Sequence, residues 1–188
     1  MDGTKCDYRP IPIHELKLTP LMRARINRDR KNPLSVSIPD STKKLGVIVP
    51  YRHRAAHLSV FPFRLHEFLK KQAIAHEIIV VEQADDGQPF NSGKLKNVGA
   101  KILFDHVDYL CFHDIDMLPE VSSYAFVNHP TLAATSIAQF DVHKCHSTYF
   151  SGAILFSKED WLTVNGFSND YWHWGCEDDD LFLRCLLS

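Results

Sequence analysis

The sequence predicts an α/β protein built on a mostly parallel sheet, and three observations carry that expectation. Short apolar runs recur at Leu45–Val49, Glu77–Glu82 and Tyr109–Phe112. Between them lie two stretches whose apolar residues repeat at helical spacing. Strand, helix, strand, helix, strand calls for crossover connections, which set successive strands parallel. Size and composition agree: 188 residues hold one domain, or one domain with an arm, and 45% hydrophobic with 23% charged is the globular range.

Residues 1–44 carry ten Lys/Arg against five Asp/Glu and no strand pattern, and read as a basic arm with a short helix near Leu16–Lys31. Residues 45–188 read as one domain, with 11 Lys/Arg against 18 Asp/Glu. Leu45–Val49 has the look of a strand buried on both faces and closed by Pro50. Leu58, Phe61, Leu65, Phe68 and Leu69 mark a helix that Pro62 delays. Glu77–Glu82 is a second buried strand, followed by the loop residues Asp85–Pro89. Leu95, Val98, Ile102 and Leu103 mark one helix face, and Tyr109–Phe112 the third strand. Leu132–Ile137 and Gly152–Phe156 read as further strands. Ser157 caps a helix that ends at Gly166 and carries Trp161 on its core face. Glu177–Leu187 is a helix with carboxylates in its first turn, where the dipole favours them.

Several function classes are excluded or disfavoured. A net charge of −2 is not that of a nucleic-acid binder. No run approaches the roughly 18 apolar residues of a membrane span, and the N-terminus lacks the pattern of a secretory leader. Five cysteines without a CxxC pair argue against a disulfide framework or zinc ribbon, and suggest thiols in a reducing compartment.

In an open parallel sheet, ligands bind beyond the carboxyl ends of the strands. Three polar sequences fall at such ends: Pro50-Tyr51-Arg52-His53-Arg54, Glu82-Gln83-Ala84-Asp85 and Asp114-Ile115-Asp116. Two carboxylates one residue apart past an apolar strand suit a hard divalent cation, Mg²⁺ or Mn²⁺, that bridges a diphosphate. The alternative is that Asp114 caps a turn while Asp116 is solvated. The second acidic group, Glu177-Asp178-Asp179-Asp180, follows Trp172-His173-Trp174-Gly175. Aromatic planes beside carboxylates suit sugar recognition, and Asp178 or Asp179 can accept a hydroxyl proton; a solvated helix start is the plainer reading. His113 orients Asp114, supplies a ligand or lines the pocket. His143, Cys145 and His146 read as an incidental loop before a soft-metal site, and Cys176 as packing.

Val47–Arg54, Phe90-Asn91-Ser92-Gly93-Lys94-Leu95 with Asn97-Val98-Gly99, Asp114-Ile115-Asp116, Tyr149-Phe150-Ser151-Gly152, Asn165-Gly166-Phe167 and Trp172–Asp180 stand in one order. Together they resemble the β-1,4-galactosyltransferase family (glycosyltransferase family 7) over residues 45–188. The resemblance implies a Rossmann-like GT-A fold, a UDP-sugar donor, Mn²⁺, a saccharide acceptor and inversion at the anomeric carbon. It places Pro50, Tyr51, Arg52, Arg54, Phe90, Lys94, Asp114, Tyr149, Gly152 and Trp174 at the donor, with Asp116 and Asp114 on the metal. It places Glu177, Asp178, Asp179 and Trp174 at the acceptor, with Asp178 the base. Tyr149 resembles the galactose-selecting version, with N-acetylgalactosamine the other donor.

Three departures accompany the resemblance. The family continues past the acidic motif with a His-containing segment that completes the metal shell, whereas this sequence ends at Ser188. Ser92 stands where the family has a donor-loop arginine. Cys111 matches a cysteine that is disulfide-bonded in secretory-pathway members, but its partner position near Ala125 is not cysteine, which supports a cytoplasmic setting, with a bacterial, membrane-peripheral one among the options and the Golgi lumen the alternative if an anchor was removed. The rival functions are a non-catalytic nucleotide-sugar or glycan binder and a metal-dependent phosphohydrolase using the same acids.

Overall fold

The computed structural model describes residues 42–119, 122–133 and 150–188. The basic arm to residue 41, the His143, Cys145 and His146 group and Tyr149 lie outside the described residues. Among the described residues, five strands form one sheet in the order β2-β1-β3-β5-β4. β1 (Lys44–Tyr51) lies between β2 (Ala75–Glu82) and β3 (Tyr109–His113), parallel to both. β5 (Ala153–Ser157) runs antiparallel to β3, and β4 (Thr131–Leu132) antiparallel to β5, so β5 alone opposes the other strands. Helices α1 (Ala55–Leu58) and α2 (Phe61–Lys71) connect β1 to β2, and α3 (Ser92–Leu103) connects β2 to β3. α4 (Lys158–Thr163) and α5 (Glu177–Leu187) follow β5.

The alternation of β1 divides the core in two. Leu45, Val47, Val49 and Tyr51 pack with Phe61, Leu65 and Leu69 of α2. Ile48 packs on the opposite face with Ala100, Leu103, Phe112, Trp161 and Leu181. Each such side chain, fully buried, contributes about 1.5–3 kcal/mol, so the central strand is anchored from both sides. Ser157 caps α4 as expected, its hydroxyl accepting from the Asp160 amide, and Pro62 sits in the first turn of α2.

Four expectations need correction. Pro50 does not close β1, which continues to Tyr51. Lys44 and Tyr51 carbonyls accept from Asp108 and Gln83 respectively, so even-numbered residues of β1 face β3 and odd-numbered ones face β2. Pro50 therefore faces the β3 side, where pairing has already ended at Ile48, and its missing N–H costs no ladder bond. β2 is an edge strand, half-buried along most of its length and not covered on both faces. On α3, Val98 and Ile102 are exposed by 43% and 56%, while Leu95, Lys96, Gly99, Ala100 and Leu103 are buried. Gly99 explains the rotation, since a Cβ there would collide with Ile48; the helix packs through its smallest residues. Finally, only Thr131–Leu132 of the expected Leu132–Ile137 strand is one, and residues from 134 fall outside the described region.

Candidate active site

The carboxyl ends of β1 and β3 and the start of β5 lie along one edge of the sheet. Just beyond β3, the Asp114 amide donates to the Gly152 carbonyl at 2.7 Å and the Asp114 carbonyl accepts from Met117. Asp114 is thus held against the entry to β5, and Asp116 follows in the turn. Beyond β1, the Arg54 guanidinium reaches Asp116 at 3.1 Å. Arg52 lies over the Phe90 ring at 5.3 Å and donates to the Gln88 carbonyl at 2.7 Å. Pro50 and Tyr51 form the end of the strand beneath them. Asp85 is exposed, and among the described residues it reaches His53, at 3.7 Å.

Asn91 fixes the Phe90 loop. Its side chain accepts from the Lys94 amide, its NH₂ donates to the Asn169 carbonyl at 2.7 Å, and its own amide donates to Gln83. Phe90 accepts from the His173 amide at 2.8 Å, and Lys94 lies 6.0 Å from the Trp172 ring. The Phe90 loop and the aromatic segment are therefore joined by backbone. That segment bends sharply: His173, Gly175 and Cys176 all have positive φ (74°, 100° and 73°). For the two non-glycine residues this is uncommon backbone that the surroundings must impose. Trp174 projects outward, 83% exposed. Cys176 is disulfide-bonded rather than simple packing, while Cys111 is a buried thiol.

The acids of α5 separate in three directions. Asp180 pairs with Arg184 at 2.6 Å, and that guanidinium also donates to the Val164 and Gly166 carbonyls, tying α5 to the end of α4. Asp179 is exposed. Glu177 and Asp178 turn inward onto Lys96, at 3.8 and 3.3 Å, and Asp114 completes the group at 3.9 Å. The second Asp178 oxygen accepts from the Ser151 hydroxyl at 2.5 Å. Burial by itself lowers the pKa of Lys96; Asp178, Asp114 and Glu177 outweigh it and hold the ammonium above the ordinary lysine value. Burial pushes Asp114 up to about 6, against the opposing pull of Lys96. Glu177 is raised by burial and then by Asp178, and Asp179 likewise.

His113 takes neither a ligand nor a solvent-facing role. Its ring bridges the Asp114 carbonyl (2.9 Å) and the Tyr124 hydroxyl (2.8 Å), and burial depresses its pKa to about 4. A neutral ring with Nδ1–H donating to the carbonyl and Nε2 accepting from the tyrosine satisfies both contacts. It positions the backbone of the Asp114 turn.

Asp114 and Asp116 offer two hard oxygen donors. Among the described residues no group of three or more His, Cys, Asp or Glu forms a cage. Two carboxylates are the donor type that Mg²⁺ or Mn²⁺ takes alongside phosphate oxygens and water, although here Asp114 lies on Lys96 and Asp116 on Arg54. Of the sequence-derived site residues, Arg54 meets Asp116, Arg52 meets Phe90, and Asp114 meets Glu177 and Asp178 through Lys96, while Trp174 and Asp179 stand exposed. Lys96, Ser151 and Asn91 were missed. Lys96 had a visible signal, a charged residue beside Leu95 and one turn before Ala100 on the buried stripe of α3; Ser151 and Asn91 had none beyond their neighbours.

Residues 31–127 match the N-terminal region of glycosyl transferase group 7, and residues 132–188 match the N-terminal domain of galactosyltransferase. β-1,4-galactosyltransferase 1 of Homo sapiens is 37% identical over 150 residues, covering 78% of this chain and 37% of that protein. β-1,4-galactosyltransferase 4 of Homo sapiens is 36% identical over 167 residues, covering 87% and 47%. The chain spans less than half the length of these curated relatives. Among solved structures, the catalytic domain of Drosophila β-1,4-galactosyltransferase 7 in complex with xylobiose matches with a TM-score of 0.69 at 34% identity, over 76% of this chain and 60% of that one. A mutant of the same fly enzyme in complex with manganese, UDP-Gal and xylobiose gives 0.70 at 33% identity over the same shares. The architecture is that of the GT-A glycosyltransferases.

Proposed function

Because the chain belongs to the glycosyl transferase group 7 family, we propose that it is an inverting, metal-dependent transferase moving galactose from UDP-galactose to a saccharide hydroxyl. The observation that carries this reading is the meeting of the β3 acid Asp114 with the α5 acids Glu177 and Asp178 around one buried cation. Two acidic motifs far apart in sequence thereby share one site, as a reaction between a metal-bound donor and an acceptor requires. Galactose is taken over N-acetylgalactosamine because the relatives are galactosyltransferases. Xylosides head the acceptor candidates because the fly enzyme was crystallised with xylobiose. Residues 45–188 serve as the transferase domain in this reading, with residues 1–44 as an arm whose last part, from residue 31, falls within the family match.

In this reading Pro50, Tyr51, Arg52 and Phe90 hold the nucleotide, the guanidinium and ring forming the walls. Arg54, now on Asp116, pairs the diphosphate through its planar fork. Lys94 and Gly152 line the donor pocket. Asp116 and Asp114 would hold a divalent cation, which when bound would supply Lewis-acid neutralisation of the charge on the leaving diphosphate. Trp174 and Trp172 offer ring faces to the acceptor, and Glu177 and Asp179 its hydrogen-bond acceptors. The acceptor oxygen bonds to the anomeric carbon as the bond to UDP breaks, and Asp178 takes the hydroxyl proton. The Ser151 hydroxyl donates to that carboxylate, which supports giving it a hydroxyl partner in this reading.

No helix among the described residues is long and apolar enough to cross a membrane. The deciding experiment is UDP release from UDP-galactose and Mn²⁺, with and without xylose, glucose or N-acetylglucosamine. Release that depends on one acceptor is the expected result. Acceptor-independent phosphate release would make the protein a hydrolase, and tight UDP binding without turnover would make it a binding relative.

A further inference from the structure

Lys96 takes no part in the transfer steps, yet its side chain is only 3% exposed. Burying an ammonium costs several kcal/mol, and Leu95, Gly99 and Leu103 already anchor α3 to the sheet without it. Its contacts account for its presence. Nζ stands 3.3 Å from Asp178, 3.8 Å from Glu177 and 3.9 Å from Asp114, and lies 4.7 Å from the centre of the Phe167 ring. Asp114 comes from the end of β3, the other two acids from the first turn of α5. Three carboxylates in one partly dry space repel one another, and a central cation is what lets them stand together. A single side chain from α3 thus stands among acids drawn from two other elements.

We propose that Lys96 is a positioning residue that sets the separation of the metal-side acid Asp114 from the proton acceptor Asp178, and with it the alignment of acceptor and leaving group. The proposal rests on the transferase reading, because it requires both acids to serve one reaction. Misplacement of reacting groups by about 1 Å costs on the order of 10²-fold in rate, which sets the size of the effect.

The test compares wild type, Lys96→Met and Lys96→Arg in acceptor-dependent transfer, with thermal unfolding in parallel. Lys96→Met, near in length but neutral, is expected to lose about 10²-fold in kcat while the donor KM stays close to wild type. Lys96→Arg, which keeps the charge, is expected to recover most of that loss. A lysine that only supported folding would lower Tm and leave kcat of the folded enzyme unchanged, and that result overturns the proposal. Should Lys96→Met not fold, Lys96→Met/Glu177→Gln removes one charge of each sign and is compared with Glu177→Gln alone; equal rates overturn the proposal, and a further loss near 10²-fold supports it. Wild type without acceptor-dependent transfer would instead sink the transferase reading and this inference with it, so the two failures are told apart.

Discussion

Glu177, Asp178, Asp179 and Asp180 are neighbours in sequence, but successive residues on an α-helix point about 100° apart. The first turn of α5 therefore sends Glu177 and Asp178 toward Lys96, leaves Asp179 exposed, and gives Asp180 to Arg184. Identical chemistry acquires different work from direction alone. Asp178→Asn is expected to lower kcat by about 10²–10³-fold, the usual cost of removing one group that acts on transition-state charge, with UDP affinity by calorimetry unchanged. Asp180→Asn should do the reverse, losing about 1 kcal/mol of stability at a half-exposed ion pair and keeping kcat. An Asp178→Asn enzyme with wild-type turnover would remove that residue from proton transfer.

At the scale of elements, the α3–β1 contact controls how far Asn91, Lys94 and Lys96 reach into the site. That contact is close because Gly99 meets Ile48 without a Cβ between them. Gly99→Ala is expected to cost about 1–3 kcal/mol in urea unfolding, the range for overpacking a filled core, despite the better helix propensity of alanine. A neutral or stabilising result would mean the helix can move outward freely. The same contact explains why α3 does not bury the apolar face its sequence suggests: Val98 and Ile102 would hold the helix off the sheet, whereas Gly99 and Ala100 let it settle.

For the whole molecule, the proton balance links the site to stability. His113 is kept neutral down to about pH 4 by burial, while the same ring in an unfolded chain titrates near 6.5. Between these values the unfolded state binds the extra proton, so this contribution is intact above pH 6.5 and is lost as pH falls toward 4. The loss amounts to about 3 kcal/mol. Asp114, raised to about 6, contributes the opposite slope, stabilising at low pH and losing that stability as pH rises; it is common to both proteins in a comparison with His113→Gln. In metal-free buffer, wild type is expected to lose about 3 kcal/mol more than His113→Gln between pH 7 and pH 4. Parallel losses would show that the ring is not held neutral.

Strand and helix positions were legible because periodicity records which residues meet the core, and β3, α4 and α5 lie where their patterns put them. The polar groups at the strand ends were legible too, since Arg52, Arg54, Asp114 and Asp116 interrupt apolar runs abruptly. Pairing was not. That Pro50 can continue a central strand depends on where β3 stops, and that β2 is an edge depends on strand order. By itself the sequence determined the α/β class, the elements and the two acidic motifs, because each is written in local residue spacing. Only the tertiary structure decided that Asp114 and Asp178 share a buried ammonium on α3, because charges distant along the chain interact according to their separation in space, and that separation exists only once the sheet and its helices have packed.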